Sequence, residues 1–299
     1  MAVDFVAAGI AAALLAAGTP AIVEQTGPRV LVAGPMARQA LTYGAEPRQG
    51  LELFTRAAAG RAPLIVYLHG GGWSAGSPRA GSGGVQAEHF TSRGFAYATI
   101  SYRFVPTATV EDQLRDVAAA IAFLRRQNGV DPDRIVLIGH SSGAHLAAMV
   151  GSDPAWLEAV GTQFGAVKAV MLLDPAALDI PPIMAMGGGG TVERYYKPAF
   201  GDDPARQSAL SPMKHVEPPN APAWLMLHDV NNPLAAMQSG DFAAGLRAAG
   251  TNHVAVEPIA QTTHLRLNDE IGRPDDVATG LIDRFLAGAL PETQRPRFR

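Results

Sequence analysis

The sequence predicts an α/β fold: a mostly parallel central sheet with helices packed on both faces. Two observations lead there. Short, continuous apolar runs bounded by turn residues recur along the 299 residues, at 51–54, 64–68, 95–102, 135–138, 167–173, 223–227 and 254–259. Helical patterns lie between most of them. Strands that are apolar at successive positions belong in a sheet covered on both sides, and their alternation with helices implies parallel crossover connections.

The elements follow in order. Among the helices the clearest is 110–127, where Leu114, Val117, Ala118, Ile121, Phe123 and Leu124 mark one apolar face and Asn128-Gly129 supplies the stop. Further helices are expected at 86–92, 142–150, 237–249 and 275–287. Residues 179–219 break the alternation, being rich in Pro and Gly, with Pro181-Pro182, a run of four glycines from Gly187 to Gly190, and Tyr195-Tyr196. A long insertion beyond the carboxyl ends of parallel strands sits where ligands bind, so this stretch is read as a lid or pocket wall. No internal repeat is found.

The N-terminal stretch 5–17 is apolar and Ala-rich and is followed by Gly18-Thr19-Pro20. Asp4 precedes it, and no Lys or Arg occurs before Arg29, which argues against a secretory leader. The run is too short to span a bilayer. Residues 1–36 are expected to form a helical cap segment, as the family resemblance given below implies, with 37–299 as the main domain and 179–219 its lid. The matching location is the cytoplasm, with secretion as the alternative.

Composition excludes several classes. Lys and Arg total 24 against 27 Asp and Glu, a net charge of −3, so no basic footprint for nucleic acid is present. The absence of cysteine excludes disulfides, thiol catalysis and Cys-ligated metal. Stable membrane insertion is not expected, and homodimerisation is left open.

Two short motifs carry chemistry. Gly139-His140-Ser141-Ser142-Gly143 directly follows the apolar run 135–138 and precedes a helical stretch. A serine hydroxyl is a poor nucleophile at neutral pH, and a tight strand-to-helix turn flanked by glycines presents it to a base and to free N–H groups. His69-Gly70-Gly71-Gly72-Trp73 follows the run 64–68. Its glycines leave backbone N–H groups unshielded, suited to hold an oxyanion. Gly71, Gly72 and Ser142 are the expected oxyanion donors, with Trp73 and His140 as substrate contacts.

With these motifs the chain resembles α/β-hydrolases of the esterase and lipase group that carry an HGGG oxyanion motif, and it is similar to bacterial carboxylesterases and acetyl or feruloyl esterases. The resemblance covers about residues 37–286 and is most specific over 131–146. It implies a serine hydrolase acting on small, short-acyl esters, without metal or organic cofactor. Kynurenine formamidases share a similar elbow and oxyanion motif, so amide hydrolysis is the neighbouring activity.

The remaining catalytic groups follow from chain order, which runs serine, acid, histidine in this fold. His264, after the last expected strand, is the candidate base; His253, before that strand, is the weaker one. The acid is harder to assign. The group's usual loop resembles H-G-x-x-D-P-L, and here the segment reads His228-Asp229-Val230-Asn231-Asn232-Pro233-Leu234, which puts Asn232 at the aspartate position. An asparagine accepts a hydrogen bond from imidazole but brings no charge to stabilise the imidazolium. Asn232 is held as the third position. Asp229 and Asp174 remain open as the carboxylate, and a weakened, ligand-binding homologue is the reading that a neutral site would favour.

Overall fold

The computed structural model describes residues 34–57, 60–79, 83–187 and 190–290. Among them eight strands form one sheet: β1 (Met36–Thr42), β2 (Gly50–Arg56), β3 (Ala62–Leu68), β4 (Ala96–Ile100), β5 (Val130–His140), β6 (Val167–Leu173), β7 (Ala223–Asp229) and β8 (His253–Ile259). Their order is β1-β2-β4-β3-β5-β6-β7-β8. β1 pairs antiparallel with β2, and β2 with β4; the other neighbours are parallel. The helices are α1 (Gly83–Ser92), α2 (Val110–Leu124), α3 (Ser142–Ser152), α4 (Ala155–Glu158), α5 (Ile180–Ala185), α6 (Lys197–Phe200), α7 (Pro204–Ala209), α8 (Pro233–Ala248), α9 (Arg266–Asp269) and α10 (Val277–Ala289).

The continuous apolar runs split by face, as side chains alternate along a strand. Leu64, Val66 and Leu68 of β3 join Leu137 of β5 and Leu172 of β6 in one core cluster, while Ile65, Tyr67, Ile138 and Leu173 join the other. Both faces are buried, and emptying any of these leucine sites to alanine costs about 2–5 kcal/mol.

Local signals explain the departures from the sequence pattern. β1 carries no apolar run because most of it is exposed at the sheet edge, where pairing with β2 and the Arg38–Glu52 ion pair hold it. α8 begins at Pro233, four residues before the expected start, since Asn232 caps it and Pro233 suits a first helical position. α2 opens on a capping box between Thr109 and Asp112 and stops at Leu124, with Gly129 taking φ +81° where the chain turns into β5. The stretch 179–219 holds α5, α6, α7, a π-helical turn Val192–Tyr196 and a 3-10 turn Pro212–His215. Buried Ile180, Ile183, Tyr196, Phe200 and Leu210 fasten it to the core. The expected N-terminal cap lies almost wholly outside the described residues, and Met36 already belongs to β1.

Register positions the functional edge. Leu68 pairs with Gly139, His140 with Leu173, and Leu173 with Leu227, so β3, β5, β6 and β7 end side by side. The ladder continues one residue further: Ser141 N–H donates to the Leu173 carbonyl at 3.0 Å and Asp174 N–H to the Leu227 carbonyl at 2.7 Å. Residues 141 and 174 thereby become neighbours across 33 positions of sequence.

Candidate active site

Ser141 stands between β5 and α3 with φ 54° and ψ −119°. A side-chain-bearing residue in that region costs on the order of 1–3 kcal/mol, and such strain persists only where the surroundings impose it. The imposing contacts are close. A Cβ at Gly139 would collide with the Gly143 carbonyl, and one at Gly143 with the carbonyls of Leu68 and His69, so the turn closes only with glycine at both places. Ser142 is the first residue of α3, where the backbone N–H has no partner within the helix and the helix dipole is positive.

His264 lies in the loop between β8 and α9. Its Nδ1 is 2.5 Å from Asp174 Oδ2, and its side chain is 43 % exposed while that of Asp174 is 0 % exposed. Asp174 turns sharply at the end of β6, with φ 45°, a conformation that aspartate tolerates better than most residues. Its Oδ2 also accepts from Asn232 Nδ2 at 2.8 Å, and its Oδ1 from the Asp229 N–H at 3.1 Å. Burial works to raise the Asp174 pKa, but the hydrogen bonds from His264 and Asn232 prevail and hold the carboxyl below the usual carboxylate range.

This geometry corrects the assignment of Asn232. Its amide nitrogen points at Asp174 and its Oδ1 accepts from the Ala235 N–H at 3.2 Å as the cap of α8, so the group on His264 Nδ1 is the Asp174 carboxylate. Asp229 is occupied locally, its Oδ1 accepting from the Asn231 N–H at 2.9 Å. His253 sits at the start of β8, its ring 5.0 Å from that of Phe285, at the other end of the parallel strands from Ser141.

His140 belongs to the site as a brace. It is 4 % exposed, and its Nε2 lies 2.7 Å from the His264 carbonyl, which fixes Nε2 as the donor nitrogen. The two imidazoles are 4.6 Å apart. Burial, helped by the charge of His264, lowers the His140 pKa to about 4, so at neutral pH the ring is an uncharged strut. The substrate contact expected of it is therefore replaced by a backbone contact.

The loop after β3 passes directly over the elbow. A Cβ at Gly70 would lie 3.1 Å from Ser141 Cβ, and Gly71 and Gly72 take φ +135° and +59°. Among the described residues the N–H groups of Gly71 and Gly72 make no hydrogen bond. The loop is pinned from behind: the Tyr102 hydroxyl donates to the His69 carbonyl at 2.6 Å, and Gln113 donates to the Trp73 carbonyl at 2.7 Å. Trp73, expected at the substrate, is instead 1 % exposed. Its Nε1 donates to His145 Nδ1 at 3.2 Å, and its ring packs on Tyr196 and Phe200, so it anchors residues of the 179–219 stretch to the core. Tyr195, which the sequence did not single out for contact, lays its ring where a Gly72 side chain would be.

Among the described residues no group of three or more His, Asp or Glu side chains is arranged to hold a metal ion, and no helix is long and apolar enough to cross a membrane. The arrangement gathers a carboxylate-braced imidazole, an elbow serine and a pair of unshielded N–H donors at the same end of the sheet.

The chain is similar to known ester hydrolases. The BD-FAE family profile matches residues 51–171. The butyrate-bound form of Est2, a thermophilic esterase from Thermogutta terrifontis, superposes with a TM-score of 0.64 at 28 % identity, covering 84 % of this chain and 93 % of its own. The chain has the α/β-hydrolase fold. Esterase LipQ of Mycobacterium tuberculosis (strain ATCC 25618 / H37Rv) is 30 % identical over 258 residues, covering 78 % of this chain and 59 % of the relative. Probable isoprenylcysteine alpha-carbonyl methylesterase ICMEL1 of Arabidopsis thaliana is 34 % identical over 118 residues, 38 % of this chain and 24 % of the relative. The chain thus spans less than two thirds of either curated relative. Within this fold the carboxylate facing the imidazole comes from the end of β6, one strand earlier than the loop after β7 that the resemblance implied.

Proposed function

We propose that this chain is a serine carboxylesterase that hydrolyses small, short-acyl esters through an acyl-enzyme. The observation that carries the reading is the Asp174–His264 pair at the strand ends where the strained Ser141 bonds its N–H to Leu173, the residue before Asp174. With Nδ1 engaged by Asp174, His264 Nε2 takes the proton of Ser141 as the oxygen attacks the ester carbonyl. Negative charge on the carbonyl oxygen is held by the N–H groups of Gly71, Gly72 and Ser142. His264 then returns the proton to the departing alkoxide, leaving the acyl group on Ser141. Water enters, loses a proton to His264, and releases the acid and free Ser141. Asp174 stays ionised throughout and stabilises the imidazolium.

The non-catalytic reading was motivated by the neutral Asn232, and a carboxylate at His264 Nδ1 removes that motive. The Tyr195 ring over Gly72 supports a role for residues 179–219 as the wall of the acyl pocket. A short acyl group also fits the relative whose structure holds butyrate.

The test is hydrolysis of p-nitrophenyl acetate, butyrate and octanoate, with the matched butyryl anilide as the amide control. Activity should be highest on the two short esters, weak on octanoate and much lower on the anilide. A fluorophosphonate probe should label Ser141. Folded protein that turns over none of the esters and leaves Ser141 unlabelled would refute the proposal.

A further inference from the structure

The loop carrying Gly71 and Gly72 is gripped at each end by an aromatic ring that bears an arginine. At its start, Phe104 meets the His69 ring edge-on at 5.9 Å, and the Arg48 guanidinium carbon stands 3.8 Å above the Phe104 ring centre. At its end, Tyr195 covers Gly72, and the Arg194 guanidinium carbon is 5.4 Å from the Tyr195 ring centre.

Among the described residues neither arginine is in an ion pair. Nearby guanidinium groups are clamped: Arg103 holds Asp116 at 2.8 Å, and Arg206 holds Glu111 at 2.7 Å. Among the described residues Arg48 and Arg194 reach no carboxylate and make no hydrogen bond. Glu193, adjacent to Arg194, is taken by Lys197 at 2.7 Å. The carboxylate nearest the reaction, Asp174, is buried and already accepts three donors. Arg48 is close enough to the loop for its charge to act on the His69 ring.

A guanidinium lying on an aromatic face loses little hydration and keeps its planar edge of N–H donors, which matches a carboxylate in two parallel hydrogen bonds. We propose that Arg48 and Arg194 form an anion-recognising rim around the oxyanion loop, so that the preferred esters carry a free carboxylate, as half-esters of dicarboxylic acids do. This rests on the esterase reading of Ser141. Such a rim raises capture of anionic esters without altering the acyl-transfer chemistry, so its signature lies in kcat/KM and in salt dependence.

The experiment compares monomethyl adipate with methyl hexanoate, a chain-matched neutral ester, by proton release with the full-length protein. The anionic ester should have the higher kcat/KM by about tenfold at low ionic strength, the scale of one charge-assisted hydrogen bond. That advantage should shrink by several-fold near about 0.5 M salt, where charges a few ångströms apart are screened. In Arg48→Gln and Arg194→Gln the ratio of anionic to neutral kcat/KM should fall toward one. Turnover of methyl hexanoate with no preference for the anionic ester, or an unaltered ratio in both variants, overturns the rim while leaving the esterase reading intact. Absence of turnover on both esters with Ser141 unlabelled by a fluorophosphonate overturns both.

Discussion

Asn232 donates its amide hydrogen to the same oxygen of Asp174 that receives His264 Nδ1, at 2.8 and 2.5 Å respectively. The asparagine is thus a donor to the acid, where the sequence had placed it as an acceptor from the base. An amide can fill this position and a carboxylate cannot, because two ionised carboxylates at hydrogen-bond distance repel and one of them is driven to take up a proton.

That relationship reverses the effect expected of restoring an aspartate. Asn232→Asp should lower turnover at neutral pH by about tenfold, since it replaces a donor to Asp174 with a like charge. Stability should barely change through the cap of α8, because Asp and Asn cap helices equally well. Asp174→Asn should cost about ten-thousandfold, the scale seen when the carboxylate of the trypsin triad is neutralised. Steady-state turnover of the two variants on one short ester decides the matter: an Asn232→Asp enzyme faster than the parent would contradict the role given to Asp174.

Combining the two changes provides a second check. In Asp174→Asn with Asn232→Asp, the new carboxylate lies beside the oxygen it replaces, and the amide now sits at 174. Turnover should exceed that of Asp174→Asn alone by about tenfold, as a single carboxylate near the imidazole is regained. Equal rates would mean that position 232 cannot serve His264.

Strain at the elbow separates activity from stability. Ser141→Ala and Ser141→Gly should both abolish esterase activity. Only glycine relieves the cost of φ 54°, so Ser141→Gly should be more stable than Ser141→Ala by about 1 kcal/mol after its greater unfolded-state entropy is deducted. Urea midpoints of the two variants measure this, and equal midpoints would show that the turn stores no strain.

Acid sensitivity follows from three buried imidazoles. His69, His140 and His145 each have a pKa lowered to about 4, with burial the largest cause. Unfolded histidine titrates near about 6.5. Between those values the unfolded chain binds a proton at each site and the folded chain does not, so stability rises with pH there and falls as pH drops from about 6.5 toward 4. Full uptake at three sites corresponds to a slope of about 4 kcal/mol per pH unit, diminishing at both ends of the window. Urea denaturation at pH 7.5, 6.0 and 5.0 should trace this loss. A flat profile would mean that these rings titrate normally.

The sequence by itself determined the strand-helix alternation, the elbow and the glycine loop after β3, because each depends on neighbours in the chain. Continuous apolar runs report two-sided burial, and glycines at 139 and 143 are demanded by a turn only a few residues long. His264 was reachable too, from its place after the last strand. Tertiary structure alone decided which carboxylate faces His264. Asp174 and Asn232 are 58 positions apart, and their contact exists because parallel pairing of β6 with β7 brings the strand ends level. Side-chain orientation was equally out of reach: Trp73 points into the core and His140 toward a backbone carbonyl, since packing against Phe200 and the His264 loop, and not local sequence, sets where those rings lie.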